Sequence, residues 1–317
     1  MAMKRFKNIL YVAEFAVDQS LAIARVIALA ENNQARLTFL HVVEQPRLGA
    51  LLDLFTPEQI DMQLREQERH KLEALVLGYS SVNPVDLQIR IGSPFIEIVR
   101  QTLDGDHDLV IKLARGGQGI QGHLFGSTDM HLLRKCPRPV WLMRPAEKAN
   151  YAKIMAAVDF DPWSPDGADD SLNRRILELA SSVALSDFAE LHLVHVWDSM
   201  LSAWAGEIPY KTVETQIEAE RARYQSGLDD LAVKLRHWIG DEAYNYLSPR
   251  LHLIRGSARD DIPALAARLD VNLLVMGTVA RTGIKGLIIG NTAEVILNGI
   301  LCSVLAVKPD GFVSPLA

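Results

Sequence analysis

The sequence predicts an α/β protein made of two tandem, doubly wound, mostly parallel sheets. Two observations carry that prediction. The first is an internal repeat: at a constant offset of 164 residues, Gly92-Ser93 matches Gly256-Ser257, Asp106 matches Asp270, Leu109 matches Leu273, and Gly126 matches Gly290. Gly119, Gly122, Thr128 and Pro145 find Gly283, Gly286, Thr292 and Pro309 at the same offset. Upstream, LHVVE (Leu40–Glu44) resembles VHVWD (Val194–Asp198), and KNILYVAE (Lys7–Glu14) resembles AKIMAAVD (Ala152–Asp159). A period this long is no solenoid, so each half is expected to be a domain, residues 1–147 and 148–317. The second observation is that strand-like and helix-like stretches alternate within each half, the pattern of a parallel sheet wrapped by helices.

The elements follow in order. ILYVA is a short apolar strand, SLAIARVIALAENN has helical spacing, and RLTFLHVV is rich in β-branched and aromatic residues. PEQIDMQLREQERHKLEALVLG opens on a proline suited to a helix start and is amphipathic. DLQIRI alternates, PFIEIVRQTL is helical, DLVIKLA is a buried strand, STDMHLLRK a short helix and PVWLMR a last strand. The second half is expected to repeat this order. In such folds ligands sit at the carboxyl ends of the strands, where strand order reverses.

Composition narrows the function classes. The chain is 49% hydrophobic and 23% charged with a net charge of −6, which argues against nonspecific binding to nucleic acid or acidic lipid. No apolar run reaches the roughly 18 residues of a membrane span. The start MAMKRFKNILYVAEFAV is interrupted by Glu14 and reads as a first strand, not a signal peptide. Cys136 and Cys302 are far apart and suggest neither disulfide nor metal, so a cytoplasmic location is expected.

The stretch VMGTVARTGIKGLIIGNTAE (Val275–Glu294) runs from an apolar strand through a Gly- and Thr-rich loop to a helix start, a layout suited to phosphate. With the repeat, it makes each half resemble the universal stress protein domain. That family's loop reads Gly, two residues, Gly, nine residues, then Gly with Ser or Thr. Supporting features are the acidic residue ending strand one (Glu14, Asp159), the His-Val pair ending strand two (His41-Val42, His195-Val196) and the Gly-Ser after strand three. The resemblance implies strand order 3-2-1-4-5 in each half, as in adenine nucleotide alpha hydrolase-like folds. It also implies a pseudo-dimer paired through the fifth strands, PVWLMRP and SVLAVKP, and a stress-response role exercised by binding ATP or AMP, with or without Mg.

Carried over residue by residue, neither half is complete. The second has Gly277, then Ala280 for the second Gly, then Gly290 followed by Asn291-Thr292. The first has Leu113 for the first Gly, keeps Gly116, and ends with Gly126-Ser127. Leu113 would project into the ribose or phosphate space unless it turns into the core, so the second half is the better expected site. There the resemblance implies Asp159 and Val196 at adenosine, Gly277, Ala280, Gly290, Asn291 and Thr292 cradling the phosphates, and Ala157, Gly256, Met276 and Thr278 as further residues of the nucleotide site.

Other features have plainer readings. GQGIQG (Gly117–Gly122) matches the GxGxxG spacing but follows the fourth strand of its unit, so a loop is expected. His41 and His195 recur without a zinc-like ligand cluster and are expected to be packed, hydrogen-bonded residues. Lys285 is read as a solvated loop lysine. The apolar segments RLGALLDLFTP and SMLSAWAGEIP leave open a core contact, a homodimer contact or an apolar ligand. No catalytic residue is assigned. A slow ATPase or autokinase, and a scaffold or apolar-metabolite carrier with inactive loops, remain the rival readings.

Overall fold

The computed structural model describes residues 6–44, 56–79, 84–115, 124–145, 150–163, 169–199, 210–279 and 289–316. They form two compact units. The first holds β1 (Asn8–Val12), α1 (Ser20–Asn33), β2 (Arg36–Val43), α2 (Pro57–Leu77), β3 (Val85–Ile91), α3 (Pro94–Asp104), β4 (Leu109–Leu113), α4 (Ser127–Lys135) and β5 (Val140–Met143). All its strands are parallel, in the order β3-β2-β1-β4-β5. The second holds β6 (Lys153–Ala157), α5 (Asp169–Asp187), β7 (Glu190–Trp197), α6 (Tyr210–Ile239), α7 (Asp241–Leu247), β8 (Arg250–Arg255), α8 (Ala258–Leu269), β9 (Leu273–Gly277), α9 (Asn291–Gly299) and β10 (Ser303–Val307). Its parallel order is β8-β7-β6-β9-β10. Each half therefore has the 3-2-1-4-5 arrangement.

Helices cover the sheets, so these strands are largely apolar and buried on both faces. β1, β4, β5 and β10 are buried at every position. Ile9, Leu10, Tyr11, Leu109 and Val110 of the first unit, and Leu193, Leu273, Val275 and Leu305 of the second, are fully enclosed. Helix ends obey local chemistry: Thr56 and Gln59 form a reciprocal capping box that starts α2 just before Pro57.

One element departs from the simple repeat. α7 has no counterpart among the described residues of the first half. Gly240, at φ +88°, ends the 30-residue α6, and Asp241 and Glu242 open the new helix at its positive end. The repeated Gly-Ser pairs sit at the turns out of β3 and β8. Gly92 (φ +153°) and Gly256 (φ +156°) adopt backbone that L side chains rarely reach, and their N–H groups bond Val43 O and Trp197 O at 2.9 Å.

The second sheet carries a pH-sensitive pair near its edge. His192 on β7 and His252 on β8 face each other, Nδ1 to Nε2, at 2.9 Å. Two facing nitrogens at that distance share one proton. Burial first, then Arg250 for His192 and the neighbouring His192 for His252, lowers both pKa values from 6.5. Glu190, 3.5 Å from His192, opposes the shift. As pH falls below about 6.5, the unfolded chain takes up protons before the folded one does, so stability is lost toward acid. Urea melts at pH 7.5 and 5.5 are expected to show that loss, and His252→Gln is expected to reduce it.

Candidate functional site

In each half a site is built at the carboxyl ends of the strands, and the two are constructed differently. In the first, β1 runs out into Ala13 and Glu14, held by an amide clamp. The Gln19 side chain accepts from the Glu14 N–H at 3.3 Å, donates to the Glu14 carbonyl at 2.8 Å, and accepts from the Tyr11 hydroxyl at 2.9 Å. Burial pushes the Tyr11 phenol far above its usual range, so it remains a donor. Asn173 performs the same task in the second half, accepting from the Asp159 N–H at 3.1 Å and donating to the Asp159 carbonyl at 2.8 Å. The histidines ending strand two brace these turns. His41 Nδ1 donates to Ala13 O at 2.9 Å and His195 Nδ1 to Val158 O at 3.2 Å. An aromatic ring lies on each: Phe15 on His41 with centroids 4.3 Å apart, and Phe160 on His195 at 4.0 Å. In the second half Tyr224 joins that stack and Trp163 meets Tyr224 edge-on.

The acids themselves differ. The Asp159 side chain is 69% exposed, 4.0 Å from His195. The Glu14 side chain is 17% exposed and meets Lys112 Nζ at 2.5 Å. Lys112, near the end of β4, is buried and also lies 3.0 Å from Asp129 Oδ1 and donates to Leu113 O at 2.8 Å. Asp129, the third residue of α4, is fully buried, and its Oδ2 accepts from the N–H groups of Arg115 at 2.8 Å and Gly126 at 3.1 Å. These two residues have Met276 and Ala293 as their counterparts at the repeat offset. The first half thus carries an acid–lysine–acid cluster, where the second half is apolar at the lysine and helix positions and keeps only the exposed Asp159. The cluster borders a cleft of about 710 Å³ walled by Phe15, Val42, Pro94 and Ile98.

Leu113 is buried and lines a different hollow, beside Ser20 and Ala22 of α1, so it turns away from this cleft. Strand alternation explains it: Lys112 and Leu113 point to opposite faces. Its counterpart Gly277 likewise faces helix α5. A Cβ there would stand 3.0 Å from the end of Leu172. The first-glycine position therefore governs helix packing in this chain, and Leu113 does not obstruct the first site.

The other expected residues of the second site fall as follows. Ala157 and Met276 are register partners on β6 and β9. Val196 is half-buried and precedes Trp197, whose carbonyl anchors Gly256. Thr278 is fully buried; its carbonyl accepts from Gly290 N–H at 3.0 Å, and its hydroxyl accepts from Lys308 Nζ at 2.5 Å. Asn291 and Thr292 are exposed at the start of α9. Ala280 and Lys285, together with Gly116 and GQGIQG, lie outside the described residues, as does most of each apolar segment. The sequence reading did not single out Lys112, Asp129, Gln19, Asn173 or Lys308.

Among the described residues no three His, Cys, Asp or Glu side chains are poised for a metal, and no helix is long and apolar enough to cross a membrane. The universal stress protein family model matches residues 5–144 and again 150–308. Universal stress protein E of Salmonella typhi is 30% identical over 256 residues, spanning 80% of this chain and 75% of that protein. Universal stress protein E of Photorhabdus laumondii is 25% identical over 331 residues, 99% of this chain and 98% of that one. Among solved structures, a functionally unknown protein from Pseudomonas aeruginosa PAO1 matches with a TM-score of 0.69 and 28% identity, covering 99% of this chain and 96% of that one. The chain therefore belongs to the universal stress protein family, carries its domain twice in tandem, and is of the universal stress protein E type.

Proposed function

We propose that this protein serves the stress response in the cytoplasm by binding an adenine nucleotide, ATP or AMP, in its second half, as a sensor and not as a fast catalyst. One observation carries the reading. α9 opens with Asn291 and Thr292 exposed and with Ala293 at the position where the first half places Asp129. Alanine cannot accept a hydrogen bond through its side chain, so no carboxylate from that position competes with a phosphate for the first-turn amides. The exposed Asp159 carboxylate at the end of β6 supplies an acceptor for ribose hydroxyls. Val196, Ala157 and Met276 supply apolar surface for the base, and Gly277, Gly290, Asn291 and Thr292 take the phosphates, with Mg as a companion of ATP.

The test installs the first half's residue in the second. Ala293→Asp places a carboxylate at the third position of α9, at the positive end of the helix. Calorimetry with Mg-ATP is expected to show one site per chain in the parent protein and at least a tenfold weaker one in Ala293→Asp, measured on a variant that circular dichroism shows to be folded. Equal affinity in the two proteins would remove the phosphate assignment.

A further inference from the structure

The turn between α5 and β7 holds a strained aromatic residue at the surface. α1 and α5 end alike: Ala35 N–H donates to Ala30 O at 2.8 Å, and Ala189 N–H to Ala184 O at 2.9 Å. Each end requires one left-handed residue just past the helix, Gln34 at φ +52° in the first half and Phe188 at φ +57° in the second. Glycine and asparagine suit that conformation; for a bulky side chain it is an outlier. Gln34 meets it with a solvent-exposed amide. Phe188 is 78% exposed, so neither the helix end nor the core calls for an aromatic ring there. Strain kept at an exposed position points to a role outside the fold.

A second ring stands beside it. Tyr246, on α7, is 58% exposed and meets Phe188 edge-on with centroids 6.4 Å apart. α7 is the added helix of the second half, and the buried Leu247 next to Tyr246 anchors it. Charges flank the rings. Glu190 opens β7 just after Phe188, and Arg250 opens β8 just after α7; both are exposed, and they lie 3.0 Å apart. One small patch thus holds two rings, an acid and a base. Such a patch complements itself, because across a two-fold axis the acid of one copy faces the base of the other. Four rings from two copies bury roughly 600–1,000 Å². Stable interfaces begin near roughly 1,200 Å², so the association is weak and depends on concentration.

We propose that a second copy of this chain docks here: the Phe188–Tyr246 patches of two chains meet in an isologous contact, with Glu190 of each chain set against the partner's Arg250. Sedimentation equilibrium of the full chain over rising concentration tests it. The parent protein is expected to double in mass reversibly, and Phe188→Asn to associate at least tenfold more weakly. Asparagine accepts the left-handed backbone, so the same variant is expected to resist urea better than the parent, which separates loss of the contact from loss of the fold. Glu190→Arg and Arg250→Glu each place like charges across the axis. Each is expected to stay monomeric alone, and the two to dimerise when mixed, since one chain then brings two bases and the other two acids. A parent protein that stays monomeric, a dimer that Phe188→Asn leaves intact, or a mixture of the charge variants that stays monomeric overturns the proposal. So does growth past two chains, because a two-fold contact closes on itself.

Discussion

Replacing Lys112 with Met, its counterpart in the second half, is expected to destabilise the protein by about 3–5 kcal/mol, the range for removing one member of a buried ion pair. Lys112 stands between two carboxylates, 2.5 Å from Glu14 and 3.0 Å from Asp129. Without it, both remain enclosed with like charge and no central cation. Removing Asp129 is a smaller insult. Lys112 keeps Glu14, and the cost is that of a helix N-terminal acceptor, about 0.5–2 kcal/mol. The double variant is therefore expected to be more stable than Lys112→Met alone, a non-additivity that a double-mutant cycle in urea would report directly. If Lys112→Met melts like the parent protein, the ion cluster is peripheral to stability.

Gly126→Val is the second large effect expected. A Cβ at Gly126 would stand 2.5 Å from the carbonyl oxygen of Arg115. That oxygen is backbone and cannot swing aside, so the strand-to-helix connection must move. Forced overpacking costs about 1–3 kcal/mol. The same shift would pull Gly126 N–H and Arg115 N–H away from Asp129, whose carboxylate holds both. The expected signature is a lowered melting temperature. A variant with parent stability would mean that the turn has slack the geometry does not suggest.

Much of the fold was legible because periodicity reports burial. The largely apolar runs at β1, β4, β5 and β10 announced buried parallel strands, and the amphipathic run after Pro57 announced α2. α7 escaped because a short helix after a long one leaves the same polar pattern as a fraying end; the Gly240-Asp241 pair was the signal to weigh. At the site, Leu113 was judged by its place in a motif, whereas the alternation of a strand decides where a side chain points. Lys112 escaped for a related reason. Within DLVIKLA it reads as a polar interruption of a buried strand. Its meaning emerges when Lys112/Asp129 is set against Met276/Ala293, two differences between the halves that make sense only together. The amide clamps carried no signal at all, because Gln19 lies five residues after its acid and Asn173 fourteen.

The paired difference also bears on history. If the two halves descend from one duplicated gene, single substitutions separate Met with Ala from Lys with Asp. One intermediate, Met with Asp, encloses two carboxylates without a cation. The other, Lys with Ala, keeps a neutral Glu14–Lys112 pair and forfeits a helix cap. Selection for a folded chain leaves the second path open and all but closes the first. Whichever half is nearer the ancestor, the lysine was present whenever the aspartate was.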